Sequence, residues 1–301
     1  MRMDCIFASI LGSLYINWPA SSSKDLRYME RIIISSADGA RAELVTHGAH
    51  LCSWIPAGGG EQLFLSSSSE FAEGAAIRGG VPIVFPQFSG MGVLPKHGFA
   101  RTAQWKLLNA GQTPQGAAQA VFELQESIAR LMLWPHVFRA EYTVTLAGDT
   151  LQLDFSVTNT GDTVFQFTTA LHTYFKLDDI EQTQLHGLGG LSYRDTVTGQ
   201  NGCRQDEEIL RIAGEVDRIY ADVSRPVLIE QAHQTVEVMQ SGFQDAVVWN
   251  PGAEKGAQIG DLELDGYQRM VCVEAATIMR PVALEPGRSW SGMQRAVWRA
   301  R

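Results

Sequence analysis

The chain has 301 residues, 45% hydrophobic and 19% charged, which is enough apolar material for a sizeable core and too little charge for a disordered segment. Lysine and arginine number 24 against 33 aspartate and glutamate, a net charge of -9, which excludes a broad nucleic-acid-binding or anionic-membrane surface. The four cysteines (Cys5, Cys52, Cys203 and Cys272) are scattered with no CxxC pair, so neither a zinc site nor a disulfide framework is indicated, and a reducing, cytoplasmic setting is expected.

At the N-terminus, Met1-Arg2 precedes a short apolar run, Cys5–Ile16, and then Ser21–Ser23. The run could be read as a secretory signal, but Asp4 sits in the would-be basic region and no small-x-small cleavage site follows closely. The other reading is a loosely attached, disordered extension over residues 1–28, with one folded domain over 29–301 and Met29 as a candidate start. From Glu30 the chain predicts short strands separated by turns. Arg31–Ser35 and Ala40–Val45 flank the hairpin signal Asp38-Gly39. Ala120–Glu126 and Phe138–Leu146 follow, then Thr150–Thr158 after Gly148-Asp149 and Val164–Phe175 after Gly161-Asp162. Val227–Gln231, Thr235–Gln240, Ala246–Trp249, Met270–Ala275 and Gly292–Arg299 continue the series. Turn signals at intervals of about ten residues mark an all-β sandwich or barrel. Short helical turns are expected only at Ser69–Glu73 and Gln258–Leu262. The glycine-rich Gly58–Gly60 and Gly187–Gly190 lack the following helix that a nucleotide loop needs.

The segment Ile77–Arg101, IRGGVPIVFPQFSGMGVLPKHGFAR, concentrates Arg78, Lys96, His97 and Arg101 between prolines that fix φ and glycines that supply turns. A rigid segment bearing forked guanidinium donors suits a small anion; its competing role is to neutralise carboxylates in an acidic protein. In FQFTTALHTYFK, Phe165–Lys176, strand alternation sets Phe165, Phe167, Thr169, Leu171 and Phe175 on one face and His172 on the other, with Gln166, Thr168, Tyr174 and Lys176. His172 therefore points toward a polar cleft, either as a ligand-facing imidazole or as a hydrogen-bonded structural histidine.

In MVCVEAA, Glu274 is a lone carboxylate in an apolar strand, a costly placement unless it has a partner or a task. It is either a general base with a raised pKa or half of an ion pair with an arginine, Arg280 being the candidate. Asp217 beside Arg218 in VDRIY reads on residue type as a surface pair. Trp249 in DAVVWNP could stack on a sugar ring or fill the core, and His47 and His50 have no third ligand nearby and read as loop or core histidines.

Taken in order, RGGVPIVFPQF, LPKHGFAR, TALHTYF, VDRIY, DAVVWNP and VCVEAA resemble the glucose-6-phosphate 1-epimerases, hexose-6-phosphate mutarotases of the aldose 1-epimerase family. The resemblance runs from about Glu30 to the C-terminus. It implies a galactose-mutarotase-like β-supersandwich and interconversion of the α and β anomers at C1 of a hexose 6-phosphate. It also implies His172 as the general acid at the ring oxygen, Glu274 as the base at the C1 hydroxyl, and Asp217 as a binder of sugar hydroxyls. Arg78 and Arg101 are implied to bind phosphate, and His97 to line the site. One departure is Lys96, where that family often has glutamine before the HG dipeptide; lysine brings a mobile point charge and no acceptor.

Mutarotation needs one proton removed from O1 while another reaches O5, which two groups on opposite sides of C1 can do without a metal or redox cofactor. The expected partner is thus a small hexose 6-phosphate, with no nucleic acid, no membrane, no cofactor and a monomeric chain. Two other functions remain consistent with these residues: an aldose 1-epimerase on unphosphorylated sugar, and a non-catalytic sugar-phosphate-binding domain.

Overall fold

The computed structural model of the protein describes residues 29–301; the N-terminal extension and Cys5 lie outside the described residues. The strands form a three-stranded, an eight-stranded and a nine-stranded sheet, and every pairing between named strands is antiparallel. The nine-stranded sheet runs Ile209–Leu210, Gln184–His186, Val227–Glu230, Gln234–Ser241, Ser289–Ala300, Thr150–Asn159, Phe138–Ala147, Ala118–Gln125, Lys106–Gln112. The eight-stranded sheet runs Cys203–Arg204, Ser192–Asp195, Val216–Tyr220, Asp245–Asn250, Met270–Leu284, Phe165–Leu171, Ile83–Val84, with Tyr174–Lys176 also paired to Met270–Leu284. This is the all-β, galactose-mutarotase-like architecture that the motifs imply.

Period-two alternation builds the nine-stranded sheet. Thr150–Asn159 and Phe138–Ala147 bury every second residue, so Tyr142, Val144, Leu153 and Phe155 enter the core while their neighbours face outward. The eight-stranded sheet is different. The first nine residues of Met270–Leu284 are all buried, because one face joins the main core and the other floors a second, smaller set of contacts. That second face carries Ala170, Ile219, Val247, Tyr174, Cys272 and Glu274. Among the described residues no helix is long and apolar enough to cross a membrane.

Three local departures from the sequence prediction have physical causes. Ser69–Glu73 is irregular instead of helical, and the Ser69 hydroxyl accepts from the Arg78 amide at 2.6 Å, which ties it to the start of the Ile77–Arg101 segment. Gln258–Leu262 is a turn region between a short helix at Gly252–Gly256 and a 3-10 turn at Gly266–Arg269. A helix at Ile128–Leu133 was not anticipated; Ser127 caps it by accepting from the Arg130 amide.

The main core centres on Phe85, fully buried, whose ring lies within 6.1 Å of those of Phe99, Trp134, Phe138, Phe155 and Phe167. It links the Ile77–Arg101 segment to both large sheets. Phe85→Ala is expected to cost about 3–5 kcal/mol of folding stability, read by urea unfolding. A loss under about 1 kcal/mol, the size of an ordinary surface change, would contradict that central place.

Candidate active site

Irregular backbone brings the site together. The Phe165–Lys176 stretch, continuous in the sequence prediction, is split into Phe165–Leu171 and Tyr174–Lys176 by a tight turn in which the Thr173 amide donates to Leu171 O at 2.9 Å. His172 is the middle residue of that turn. The Ile77–Arg101 segment lies alongside as an irregular edge. His172 N donates to Pro82 O at 3.0 Å and Tyr174 N to Gly80 O at 2.9 Å, while Phe88 N donates to Thr168 Oγ1 at 2.7 Å and Thr169 Oγ1 to Val84 O at 2.7 Å. Two glycines permit this approach. A Cβ on Gly79 would stand 2.3 Å from Phe64 O and one on Gly98 2.2 Å from Phe85 O, and both residues have positive φ.

On the cleft face of the eight-stranded sheet, His172 Nε2 lies 3.4 Å from Glu274 Oε1. His172 is 8% exposed and Glu274 1% exposed. Burial, then the neighbouring His97, Arg78 and Arg101, pushes the His172 imidazole well below its ordinary pKa. Burial, then the nearby Asp217, pushes Glu274 well above the usual carboxylate range. Both separated charges are thus disfavoured, and the two groups titrate as a coupled pair. His172 Nδ1 and Glu274 Oε2 are buried and have no protein partner. The ion pair considered for Glu274 does not form, because Arg280 pairs with Asp222 at the surface.

The cations gather on one side. Arg78 Nε donates to Asp261 Oδ1 at 3.1 Å and its NH1 to the Tyr174 hydroxyl at 2.9 Å. Burial opposes its charge, but Tyr174 and Asp261 outweigh it and hold the guanidinium more basic than usual. Tyr174 in turn stacks on His172, ring centroids 4.8 Å apart and planes 10° from parallel. Arg101 NH2 donates to Lys96 O at 2.9 Å, and its Nε is buried with no partner.

His97 adopts φ 69 and its ring lies 5.6 Å from that of His172. The Ser89 amide donates to His97 Nδ1 at 3.3 Å, which puts the ring proton on Nε2. Burial, then Arg101, Lys96 and Arg78, lowers its pKa to about 3. Lys96 itself is exposed at the rim; partial burial, then Lys255, Arg101 and Arg78, lowers its pKa.

Asp217 is half-buried, its pKa raised by burial, and close enough to Glu274 to perturb it. It is not paired with Arg218, which sits over the Tyr193 ring at 4.6 Å and donates to Gln205 at 2.9 Å. Trp249 is half-buried, edge-on to His172 and Tyr174 at 5.8 and 5.9 Å. His47 and His50 are buried core groups, as expected. The residues named from the sequence, His172, Glu274, Arg78, Lys96, His97, Arg101 and Asp217, thus lie close enough together to act on one another's charge. Sequence reasoning missed Tyr174 and Asp261 as partners of Arg78. Tyr174 had a signal in its alternation with His172, and Asp261, in a loop far along the chain, had none.

The His172, Cys272 and Glu274 ligand atoms lie within 4.8 Å of one another, a donor set of the kind that divalent metals use. Burial raises the Cys272 thiol well above its ordinary pKa, so it offers a neutral sulfur, a weak ligand. A separate surface cavity of about 560 Å³ at Asp222, Ser224, Gln244, Arg280 and Trp290 shares no residue with the cleft and contains no histidine.

The comparisons with known proteins agree with this geometry. The sequence profile of the aldose 1-epimerase family matches residues 30–296, and the chain belongs to that family. It is 35% identical over 274 residues to a protein of Cenchrus ciliaris provisionally named glucose-6-phosphate 1-epimerase, covering 88% of this chain and 83% of that one. It is 34% identical over 264 residues to an Escherichia coli K12 protein of the same provisional name, covering 86% of each. A crystal structure from Salmonella typhimurium, provisionally described as a mutarotase, superposes with a TM-score of 0.84 at 31% identity, covering 92% of this chain and 93% of that one. The protein is accordingly an enzyme of the aldose 1-epimerase, mutarotase type.

The depressed pKa of His97 has a measurable consequence. An imidazole with a folded pKa near 3 and an ordinary value of 6.5 takes up a proton only on unfolding between those pH values. Its contribution to stability is therefore complete above 6.5 and declines as pH falls toward 3. The His97 ring signals are expected to stay flat from pH 8 to pH 5 by NMR. The stability advantage of the wild type over His97→Asn should shrink between about pH 7 and pH 4 in urea unfolding. A His97 inflection near neutrality would contradict the assignment.

Proposed function

We propose that this protein interconverts the α and β anomers of a hexose 6-phosphate, with glucose 6-phosphate the first candidate. The observation that carries the reading is the buried His172–Glu274 contact at 3.4 Å with Arg78 and Arg101 close to it. The chemistry moves one proton through the sugar. O1 and O5 are bonded to the same carbon, so two catalytic atoms standing side by side can each address one of them. Sequence reasoning expected the two groups on opposite sides of C1; in the structure they are adjacent, 3.4 Å apart.

Opening the ring takes a proton from O1 to Glu274 while His172 gives one to O5. The pair passes from imidazolium and carboxylate to imidazole and carboxylic acid. The second form is the one burial favours in the empty site, so the environment offsets part of the cost of the open aldehyde. Rotation about C1–C2 and the reverse transfers close the other anomer. His97, neutral with its proton on Nε2, donates a hydrogen bond without competing as an acid. Asp217 accepts from sugar hydroxyls. Arg101 offers its unpartnered Nε, and Arg78 a guanidinium held in place by Asp261 and Tyr174.

Activity on unphosphorylated sugar is favoured by one observation: Arg78 already has an anionic partner in Asp261, so its charge is partly spoken for without phosphate. Anomer exchange on glucose 6-phosphate and glucose, followed by NMR exchange spectroscopy, separates the two. Equal rates would remove the phosphate from the reading. Binding of glucose 6-phosphate without faster exchange would remove catalysis.

Two substitutions test the roles. Glu274→Gln keeps the shape and removes the base, so exchange should be abolished with binding largely kept; near-wild-type exchange excludes Glu274. Arg78→Ala should weaken affinity for the phosphorylated sugar by about 1–3 kcal/mol, the range for a charge-assisted hydrogen bond, as measured by calorimetry. Unchanged affinity takes Arg78 out of the phosphate site.

A further inference from the structure

Gln294 is a polar side chain in the middle of the core. It belongs to Ser289–Ala300 of the nine-stranded sheet, the sheet opposite the cleft, and is 2% exposed between the buried Gly292 and Ala296. Its amide crosses to the eight-stranded sheet and makes two bonds there. Nε2 donates to Val273 O at 3.0 Å, and Oε1 accepts from Thr173 Oγ1 at 2.5 Å. Val273 precedes Glu274 and Thr173 follows His172, so one side chain grips the backbone neighbour of each member of the acid–base pair.

The reason for this contact lies in the interrupted ladder. Where two antiparallel residues form a hydrogen-bonded pair they exchange two bonds. Val273 and Thr173 make only the first, Val273 N to Thr173 O at 3.2 Å. The Thr173 N–H that would return the second bond to Val273 O is turned back to Leu171 O by the turn at His172. Val273 O is left facing a gap, and a buried carbonyl without a donor is costly. Gln294 Nε2 supplies the missing donor, and its oxygen accepts from the Thr173 hydroxyl.

We infer that Gln294 is a positioning residue for catalysis: it locks the turn that projects His172 against Glu274 and so sets the distance over which the proton is exchanged. The role rests on the mutarotase reading of the site. No other polar side chain bonds both Thr173 and Val273 among the described residues. An apolar residue at 294 would leave the gap in the ladder open, and the turn free to relax toward a regular strand that carries His172 away from Glu274.

The test compares Gln294→Leu, Thr173→Val and a control, Val144→Ala, a buried position on another strand of the same sheet. Anomer exchange on glucose 6-phosphate and on glucose is measured across pH, with the folded fraction fixed by circular dichroism. For Gln294→Leu, kcat per folded molecule should fall about ten- to a hundredfold, the scale of a misplaced catalytic group, with displaced limbs of the pH–rate profile. KM should stay within about twofold, since substrate contacts are untouched. Thr173→Val removes one of the two bonds and should move both readouts the same way by less. Val144→Ala should lower the melting temperature and leave kcat and the profile alone.

Wild-type kcat and pH profile in Gln294→Leu overturn the inference, as does a control that reproduces its losses. If Gln294→Leu does not fold, Thr173→Val decides, and an unchanged profile there overturns it. If the wild type accelerates exchange on neither sugar, the functional reading fails on its own. The positioning role is then judged by the NMR titration of the His172 ring, which must differ between wild type and Thr173→Val for the role to stand.

Discussion

A histidine and a glutamate that would each be fully solvated in an unfolded chain meet at 3.4 Å beneath the surface of this protein, and much of the structure around them exists to make that contact tolerable. An isolated buried charge is expensive, and a buried pair is tolerated when it is neutral overall and well bonded. Here the surroundings are polarised across the pair. Arg78, Arg101 and His97 act on the histidine side and Asp217 on the glutamate side. Burial first, and then the arginines, disfavours the charged imidazole, while burial first, and then Asp217, disfavours the carboxylate.

A regular antiparallel sheet cannot present such a pair easily. Its ladder fixes side chains at the pleat spacing and points alternate residues away from each other's faces. This protein breaks one strand at His172 and absorbs the loss with bonds from outside the ladder. Gln294 meets Val273 and Thr173 from the opposite sheet, Thr169 ties to Val84, and the Ile77–Arg101 segment supplies Pro82 O to the His172 amide. The irregular segment and the irregular strand therefore support each other. That is why the glycines and prolines cluster beside the site rather than at the hairpin tips alone.

How much of this could be read from the chain varied with the range of the interaction. The strands with clean alternation, such as Phe138–Ala147 and Thr150–Asn159, are legible because each residue's fate depends on its own parity. The carboxylate in MVCVEAA and the histidine in ALHTYF stand out because each breaks an apolar pattern, and a broken local rule is where function tends to sit. The break at His172 and Thr173 was invisible, since both residues fit a strand and Gln294, which bonds Thr173 across the core, lies more than a hundred residues away. The same holds for Asp261, which reaches Arg78 only through the fold. Arg280 was a plausible partner for Glu274 by sequence distance, but six residues along a strand separates two groups too far to pair, and it meets Asp222 instead.

The two arginines that the sequence treats alike have become unlike in three dimensions. Arg78 is clamped: Asp261 takes one donor, the Tyr174 hydroxyl another, and Tyr174 stacks on His172. Its charge is felt at the imidazole whether or not a ligand is present, and any anion that binds it must share it with a carboxylate. Arg101 gives one donor to a backbone carbonyl and keeps a buried Nε unpartnered, a group left short of a hydrogen bond that an arriving acceptor can satisfy. Within the hexose-phosphate reading, Arg101 thus gains more from the phosphate than Arg78 does, while Arg78 spends its binding on orienting the acid through Tyr174. A neutral sugar leaves Arg101 unsatisfied and changes Arg78 little, so discrimination between phosphorylated and free hexose falls chiefly to the arginine with the poorer resting partner.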